Sequence, residues 1–293
     1  MRIGLSLPGM LGDVDRACFL QWCHRIEGDG WDTLGLGERI AYRNLEMFTS
    51  LAAAATVTER VRIAATLVIL PMHSEAWVAK QIATLDVLSG GRVTLGVGVG
   101  GREEDYRALG RSFSRRFDRL DEQVTRLREL WAGAPPGDGL DPIGPRPVQD
   151  PIPVLSGAMG PRSLRRSARW ADGIAGFELD PTPESLRRWR AGVDAAWEGA
   201  GRAEPPYRMT SFWFALGDEP EAQLRRYGRH YLGVFGDDVA AAMADACTVA
   251  GADALRRAVA SCREAGVDEI QLVPTTSDPH ELDRLAAALA DVR

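Results

Sequence analysis

Apolar and polar positions along the chain alternate between short buried runs and longer amphipathic segments. The region between residues 60 and 110 shows the pattern most clearly. Residues 61–70 form an apolar run that ends at Pro71, an amphipathic helical segment follows, and a Ser-Gly-Gly turn leads into a second apolar run at residues 93–99. Two buried strands joined by a helix run in the same direction, so the pattern predicts a β-α-β unit of a parallel sheet.

The same alternation extends over the whole chain. Strands are predicted at residues 2–7, 31–36, 61–70, 93–99, 152–155, 172–177, 208–216 and 268–273. Helices are predicted at residues 15–27, 47–56, 113–131, 183–200, 219–231, 237–247, 252–265 and 279–292, with further helices after residue 71 and from Pro161. Apolar residues at spacings of three and four support the long helix at residues 113–131.

Eight strands with intervening helices predict an α/β fold of the (β/α)8 TIM barrel type. A doubly wound sheet is the alternative, although it rarely holds eight strands in a chain of 293 residues. We expect a single domain over residues 1–293, with an extended surface loop at about residues 133–153, where Pro and Gly cluster. In such a barrel, ligands bind at the C-terminal ends of the strands.

Composition narrows the classes of function. The net charge of −6 argues against a nucleic-acid partner, because phosphate binding needs a basic face. No apolar run reaches the roughly 18 residues that span a bilayer, and we expect a cytoplasmic protein. The four cysteines lack a CxxC spacing and are expected to be free thiols. The four histidines form no metal-binding motif, so no metal is expected.

Glycines follow the fourth predicted strand. Residues 96–101 read Gly-Val-Gly-Val-Gly-Gly and formally match GxGxxG. The match is a weak dinucleotide fingerprint, because it does not open a first β-α-β unit and lacks the strand-end acidic residue about 20 positions on. Gly96 and Gly98 fit close packing inside the barrel as well as ligand contact. Gly100 and Gly101, at the mouth, are expected to clear room for a ligand.

Small residues also fill the connection after the fifth strand. Residues 156–161 read Ser-Gly-Ala-Met-Gly-Pro, which leaves backbone N–H groups exposed beside a helix start, and Arg162 adds positive charge. The segment is suited to hold a phosphate monoester. A tight turn that needs small residues for its shape alone is the alternative.

Polar side chains at other strand ends are candidates for chemistry. Glu38 and Arg39 follow the second strand, where an ordinary surface ion pair is the alternative to a substrate-facing role. His73 follows the third strand, where helix capping or solvation is the alternative to catalysis. Three aromatic residues fit pocket walls and core packing equally: Trp77, Trp213 and Phe214.

These features together resemble the luciferase-like monooxygenase superfamily, and in particular its branch that depends on coenzyme F420. The resemblance covers nearly the whole chain, and its central block is highly specific. The matching segments are Leu70-Pro71-x-His73, residues 79–92, residues 96–110, residues 153–157, residues 160–164 and Ala171-Asp172-Gly173.

The resemblance implies a homodimeric (β/α)8 barrel that binds coenzyme F420, or alternatively FMN, at the C-terminal ends of its strands. It implies a non-prolyl cis peptide bond between Thr66 and Leu67, against which the ring of the coenzyme rests. Further ring contacts are implied for Ile69, Val99 and Gly100. Phosphate contacts are implied for Gly157, Ala158, Met159 and Gly160.

The chain also departs from the branch. Sugar-phosphate dehydrogenases of this branch carry Asp-His after the second strand and a Glu beside the fourth-strand glycines, where this chain has Glu38, Arg39 and Gly101. Glucose-6-phosphate oxidation is therefore not expected. The first hypothesis is hydride transfer between coenzyme F420 and a small organic substrate. An FMN-dependent monooxygenase that uses reduced flavin and O2 is the second, and a non-catalytic flavin-binding barrel is the third.

Overall fold

Eight parallel strands pair in chain order and close into a barrel. The computed structural model describes residues 1–291. The strands are β1 (Arg2–Ser6), β2 (Thr33–Leu36), β3 (Arg62–Val68), β4 (Val93–Val97), β5 (Val154–Ser156), β6 (Gly173–Phe177), β7 (Tyr207–Phe214) and β8 (Glu269–Pro274). Pairing of Arg2 with Glu269 joins β1 to β8 and completes the ring. The predicted (β/α)8 barrel is confirmed, and the doubly wound alternative was wrong.

Helices surround the barrel. The described residues contain α1 (Arg16–Gly28), α2 (Met47–Thr56), α3 (Glu75–Leu88), α4 (Glu103–Ala108), α5 (Arg116–Trp131), α6 (Pro161–Ser167), α7 (Pro183–Gly199), α8 (Pro220–Leu232), α9 (Asp237–Asp245), α10 (Ala252–Glu264) and α11 (His280–Ala288), with 3₁₀ turns at Leu70–Met72 and Gly233–Phe235. The sequence pattern did not predict α4, because its six residues carry no apolar stripe. The predicted end of the last helix, Val292, lies outside the described residues.

Two predicted strands end earlier than their apolar runs. The run at residues 61–70 pairs only to Val68, and the run at residues 93–99 only to Val97. Ile69 and Val99 lie beyond the paired strands and line a cavity at the mouth. Hydrophobicity marks them as partly buried positions, but it carries no information on whether their backbone joins the sheet.

The connection between α5 and β5 contains no helix or strand over residues 133–153. A buried carboxylate attaches it to the helix layer. Asp86 on α3 accepts a hydrogen bond from the backbone N–H of Gln149 at 2.9 Å and another from its Nε2 at 2.7 Å. The loop therefore packs against the outside of the barrel, on the side of α3.

All four cysteines are free, as expected. Burial raises the pKa of the Cys23 and Cys262 thiols to about 12, so both remain protonated and act as small apolar core groups. Among residues 1–291, no helix has both the length and the apolar composition needed to cross a bilayer.

A single arginine ties three elements together at the N-terminal end of β4. Arg92 donates to the carbonyl oxygens of Ala55, Thr58, Val61 and Ser89 at 2.6–2.9 Å, and to the Thr58 hydroxyl at 3.1 Å. These groups belong to the end of α2, the turn before β3 and the end of α3. Only the planar fork of a guanidinium reaches so many acceptors at once.

Replacing Arg92 with lysine is therefore expected to destabilise the barrel. The Arg92→Lys variant keeps the charge but leaves several carbonyls without donors, which lowers the free energy of unfolding by about 2–4 kcal/mol. Urea unfolding followed by circular dichroism measures the change. Arg146→Lys is the control, because the Arg146 side chain is 80% exposed. Equal stability of the two variants would contradict this role of Arg92.

Candidate functional site

A deep cavity opens at the C-terminal ends of the strands, where ligands of TIM barrels bind. Its volume is about 580 Å³, within the range of small-molecule sites. Every strand or the segment after it contributes to the lining, from Ser6 and Leu7 after β1 to Val273 and Pro274 in β8. We call it the mouth cavity.

An apolar surface forms part of this lining. Leu67, Ile69 and Val99 all face the mouth cavity, and we call them the apolar platform. The peptide bond between Thr66 and Leu67 is cis, as the resemblance implied, and Thr66 also lines the cavity. The pairing of β3 with β4 shifts register between Ala65 and Val68, at this same position.

Glycines around the platform make room for its side chains. A Cβ atom added at Gly157 would lie 2.1 Å from Leu67 Cδ1, and one at Gly98 would lie 3.0 Å from the same atom. At Gly100, where φ is +61°, an added Cβ would lie 2.9 Å from Ile69 Cγ2. Gly100 itself lines the cavity, and it also leaves room for Ile69, which lines the cavity beside it. That Gly100 clears room for a ligand stays a prediction. Gly96 faces Leu67 in the same way, so its packing role is confirmed.

The loop after β5 forms one edge of the cavity, through Gly157, Ala158 and Met159. The N–H of Gly157 donates to Val97 O at 2.8 Å, so it is already used within the sheet. In the described part of the chain, the N–H groups of Ala158 and Met159 have no protein acceptor. These two donors are the ones that an anionic group at this edge could use.

Gly160 lies outside the cavity lining, and its N–H donates to Ser163 Oγ at 3.2 Å. At this edge of the cavity the positive charge in the lining is Arg166 rather than Arg162, which is exposed on α6. Arg166 pairs with Asp118 at 2.8 Å and Asp121 at 2.6 Å, which raises the pKa of its guanidinium. Its Nε is buried and has no hydrogen-bond partner among residues 1–291.

The charged candidates near β2 and β3 do come together, but not as a surface ion pair. Glu38 is buried, lines the cavity, and accepts hydrogen bonds from Ile69 N at 2.7 Å and from His73 Nε2 at 2.8 Å. His73 is held by this contact rather than being solvated. Arg39 is also buried and pairs with Asp105, not with Glu38, at 3.0 Å. The surface ion-pair alternative was therefore wrong.

Aromatic side chains cover the opposite side of the cavity from β3. Trp213 packs edge-on against Phe177, Tyr227 and Tyr231, with ring centroids 4.9–5.3 Å apart. Sequence reasoning found Trp213 but missed the two tyrosines, which lie one helical turn apart on α8. Two other aromatic candidates lie elsewhere: Phe214 is fully buried in the core, and Trp77 is 57% exposed on α3.

The described residues contain no group of three or more His, Cys, Asp or Glu side chains arranged to hold a metal ion. Charge in the mouth cavity therefore comes from carboxylates and guanidinium groups. The cavity combines an apolar platform, a loop whose Ala158 and Met159 N–H groups have no acceptor among the described residues, three arginines and an aromatic wall. That combination suits a flat organic molecule with an anionic end.

Comparison with known proteins agrees with this geometry. Residues 10–269 match the model of the luciferase-like monooxygenase family. The chain belongs to this family. An uncharacterized protein of Mycobacterium tuberculosis is 38% identical over 168 residues, which cover 55% of this chain and 57% of the relative. Pyrimidine monooxygenase RutA of Cronobacter sakazakii is 33% identical over 201 residues, covering 64% of this chain and 58% of the relative. The chain thus spans less than two thirds of the length of these relatives.

Solved structures show the same fold. An F420-dependent secondary alcohol dehydrogenase, in complex with an F420–acetone adduct, has a TM-score of 0.83 at 19% identity and covers 100% of both chains. The oxygenating constituent of 3,6-diketocamphane monooxygenase from Pseudomonas putida, in complex with FMN, has a TM-score of 0.71 at 16% identity, covering 100% of this chain and 98% of that one. At these identities the likeness establishes the fold alone. Both the F420 and the FMN chemistry are represented among the structural neighbours.

The packing around Leu67 leads to a first prediction about the site. In Gly157→Ala the new methyl group displaces Leu67 from the platform, so the affinity for whichever of F420 or FMN binds is expected to fall at least tenfold. Fluorescence titration measures it. Gly28→Ala, at the end of α1, is the control, because an added Cβ there would meet no atom within 4 Å among the described residues. Similar losses in both variants would show that Leu67 is not part of the binding surface.

Proposed function

We propose that this protein is an oxidoreductase that transfers a hydride between coenzyme F420 and a small organic substrate. The observation that carries the proposal is the apolar platform of Leu67, Ile69 and Val99, which lies beside the free N–H donors of the loop after β5. A planar ring system needs such a surface, and its anionic side chain needs such donors.

The residues present fit the ring of a deazaflavin or flavin. Thr66, Leu67, Ile69, Val99 and Gly100 all line the mouth cavity and are assigned to the ring. When bound, the coenzyme supplies the hydride chemistry. The task of the platform is to hold the ring and the substrate in a fixed relative orientation and to keep water away from them.

The anionic part of the coenzyme is assigned to Gly157, Ala158, Met159 and Gly160. The N–H groups of Ala158 and Met159 are the direct donors in this assignment, while Gly157 and Gly160 shape the loop. Arg166 lines the same edge of the cavity with a free Nε. Charge-assisted hydrogen bonds from such groups are the strong contacts available to a phosphate.

The charge around α6 favours F420 over FMN. FMN ends in one phosphate group, whereas F420 carries a phosphodiester followed by a chain of glutamates. Arg162 and Arg165 are exposed on α6, next to the loop, and form no ion pair among residues 1–291. A longer polyanionic chain gains more electrostatic binding energy from these two arginines than a single phosphate does.

Glu38 and His73 are assigned the handling of a proton. Glu38 is a carboxylate that faces the mouth cavity, and His73 holds it from behind through the 2.8 Å contact. A proton shared between His73 Nε2 and Glu38 Oε1 is close to the platform. Arg39 in turn is fixed by Asp105 and presents charge to the cavity rather than a base.

An FMN-dependent monooxygenase remains the second candidate. The observation in its favour is the 33% identity to pyrimidine monooxygenase RutA over 64% of this chain. The platform would hold a flavin ring as well as a deazaflavin ring, so the two functions differ in the coenzyme and not in the fold. Under either function the protein acts on a small molecule. We also propose that the protein is located in the cytoplasm.

Coenzyme titration separates the two candidates. The purified protein is expected to bind F420 at least tenfold more tightly than FMN, as measured by fluorescence. The double variant Arg162→Gln/Arg165→Gln is expected to lower the affinity for F420 at least fivefold. Its affinity for the deazaflavin riboside, which lacks the anionic tail, is expected to stay within twofold of the wild-type value. Arg146→Gln/Arg257→Gln, which removes two exposed arginines elsewhere, is the control. Tight FMN binding without F420 binding would replace the first candidate with the second.

We further propose that the protein forms a homodimer through α2 and α3. Trp77 and Leu88 are 57% and 50% exposed on α3 and lie three helical turns apart, on the same side of the helix. A dimer that covers this face would remove both apolar side chains from water, which favours association.

Light scattering after size exclusion tests the dimer. The protein is expected to elute with twice its chain mass of 31.9 kDa, and Trp77→Arg to shift it toward the monomer, because a charge on this face opposes burial. The control is Val239→Arg, at an apolar position that is 48% exposed on α9. A wild-type protein that elutes as a monomer would rule the dimer out.

A further inference from the structure

Five side chains that line the mouth cavity are assigned neither to the coenzyme nor to the handling of a proton in the function proposed above. They are Arg39 after β2, Arg102 before α4, Trp213 in β7, and Tyr227 and Tyr231 on α8, and all of them line the cavity. We call them the arginine–aromatic subsite.

Arg39 is buried, and one nitrogen of its guanidinium group lacks a hydrogen-bond partner among residues 1–291. The residue is only 7% exposed, and its Nε donates to Asp105 Oδ2 at 3.0 Å. Asp105 is itself fixed by the backbone N–H groups of Ile40 and Ala41. The Nη1 group of Arg39 has no hydrogen-bond partner within residues 1–291. A buried donor without an acceptor is costly, so an acceptor from outside the chain is expected there.

Arg102 carries a charge that the protein does not neutralise. Its Nη2 donates to the backbone oxygen of Tyr231 at 2.9 Å, while its Nε is buried and unpartnered. No carboxylate of residues 1–291 forms an ion pair with it within 4.0 Å. Burial lowers the pKa of Arg102, the direction expected for a cation removed from water without a counter-ion.

The two arginines flank the same ring. The guanidinium carbon of Arg102 lies 4.5 Å from the centroid of Tyr231, and that of Arg39 lies 5.6 Å from it. Glu104 approaches Arg39 only at 3.8 Å and is partly exposed, so it contributes little. Asp105 balances Arg39, whereas Asp105 and Glu104 act on Arg102 only from beyond ion-pair distance. Arg102 is therefore the charge that a single anionic group would neutralise.

The aromatic members supply a flat apolar surface next to that charge. Trp213 meets Tyr227 and Tyr231 edge-on at 5.3 Å, and the two tyrosine rings are stacked 5.9 Å apart. Aromatic groups favour such edge-on and offset contacts with a further ring. Burial holds the pKa of Tyr227 well above its ordinary value, so its phenol stays neutral and adds no charge that would repel an anion.

We infer that the arginine–aromatic subsite binds a planar aromatic carboxylate, with the ring against Trp213 and Tyr231 and the carboxylate on Arg39 and Arg102. This inference rests on the proposed function, since it names the class of the small substrate. The anionic part of the coenzyme is assigned to the loop after β5. The two arginines follow β2 and β4, and the tyrosines follow β7, so the two anionic groups have separate partners.

The test compares 2-naphthoate with its neutral analogue 2-naphthamide by calorimetry, on F420-loaded and on coenzyme-free protein. The wild-type protein is expected to prefer the carboxylate at least tenfold. Arg102→Met is expected to reduce that preference to within twofold and to leave F420 affinity within threefold. Arg226→Met, at an exposed position on α8, is the control and is expected to keep the preference. If Arg102→Met does not fold, Arg102→Lys is used, and a severalfold smaller preference is expected because lysine lacks the fork.

Two results would overturn the inference. One is equal binding of naphthoate and naphthamide by the wild-type protein. The other is an Arg102 variant that loses F420 affinity tenfold while it keeps the preference for the carboxylate, which would assign the arginine to the coenzyme. A protein that binds neither F420 nor FMN, yet keeps the Arg102-dependent preference on coenzyme-free protein, would refute the proposed function and leave the subsite standing.

Discussion

The close contact between Leu67 in β3, Ile69 just after it, and the glycines that face them determines the shape of the mouth cavity. Leu67 and Ile69 occupy space that any side chain at residues 96, 98, 100 or 157 would invade, most severely at Gly157, where the separation would be 2.1 Å. Packing in a protein interior leaves no slack for such an overlap. Residues 98, 100 and 157 line the cavity themselves, and all four glycines leave room for the apolar platform where the barrel opens.

The parts of the fold that the sequence could predict are those that depend on the order of apolar runs and amphipathic segments. Strands buried on both faces appear as continuous apolar runs, and the order of runs and amphipathic segments was enough to predict the closed barrel. The apolar runs extend past the paired strands to Ile69 and Val99, because these two residues line the cavity and do not pair in the sheet. The α4 helix was missed, since its sequence Glu-Glu-Asp-Tyr-Arg-Ala offers no repeating apolar position.

The site was predicted unevenly for a different physical reason. Gly157 and Leu67 could be named from the sequence, because Gly157 lies in a matched segment and Leu67 lies three residues before another. The partners of charged groups were not, because Arg39 and Asp105 are 66 positions apart and Arg166 and Asp118 are 48 apart. A single sequence does not reveal which distant charges meet. The tyrosines of α8 were missed for the same reason: their helical spacing predicts a shared face, but not that the face borders the cavity.

The net charge of the whole chain does not describe the charge inside the mouth cavity. A total of −6 argues against a polyanionic partner that covers a large surface. The lining of the mouth cavity holds three arginines and three carboxylates, so it lacks the acidic excess of the whole chain. Arg39, Arg102 and Arg166 each have a buried nitrogen without a partner among residues 1–291, while Asp105 and Asp121 are already paired with arginines. Electrostatic attraction in a narrow cleft depends on the local charges and on the low polarity of its walls. An acidic protein can therefore select small anions at one site, and the position of its arginines decides which ones.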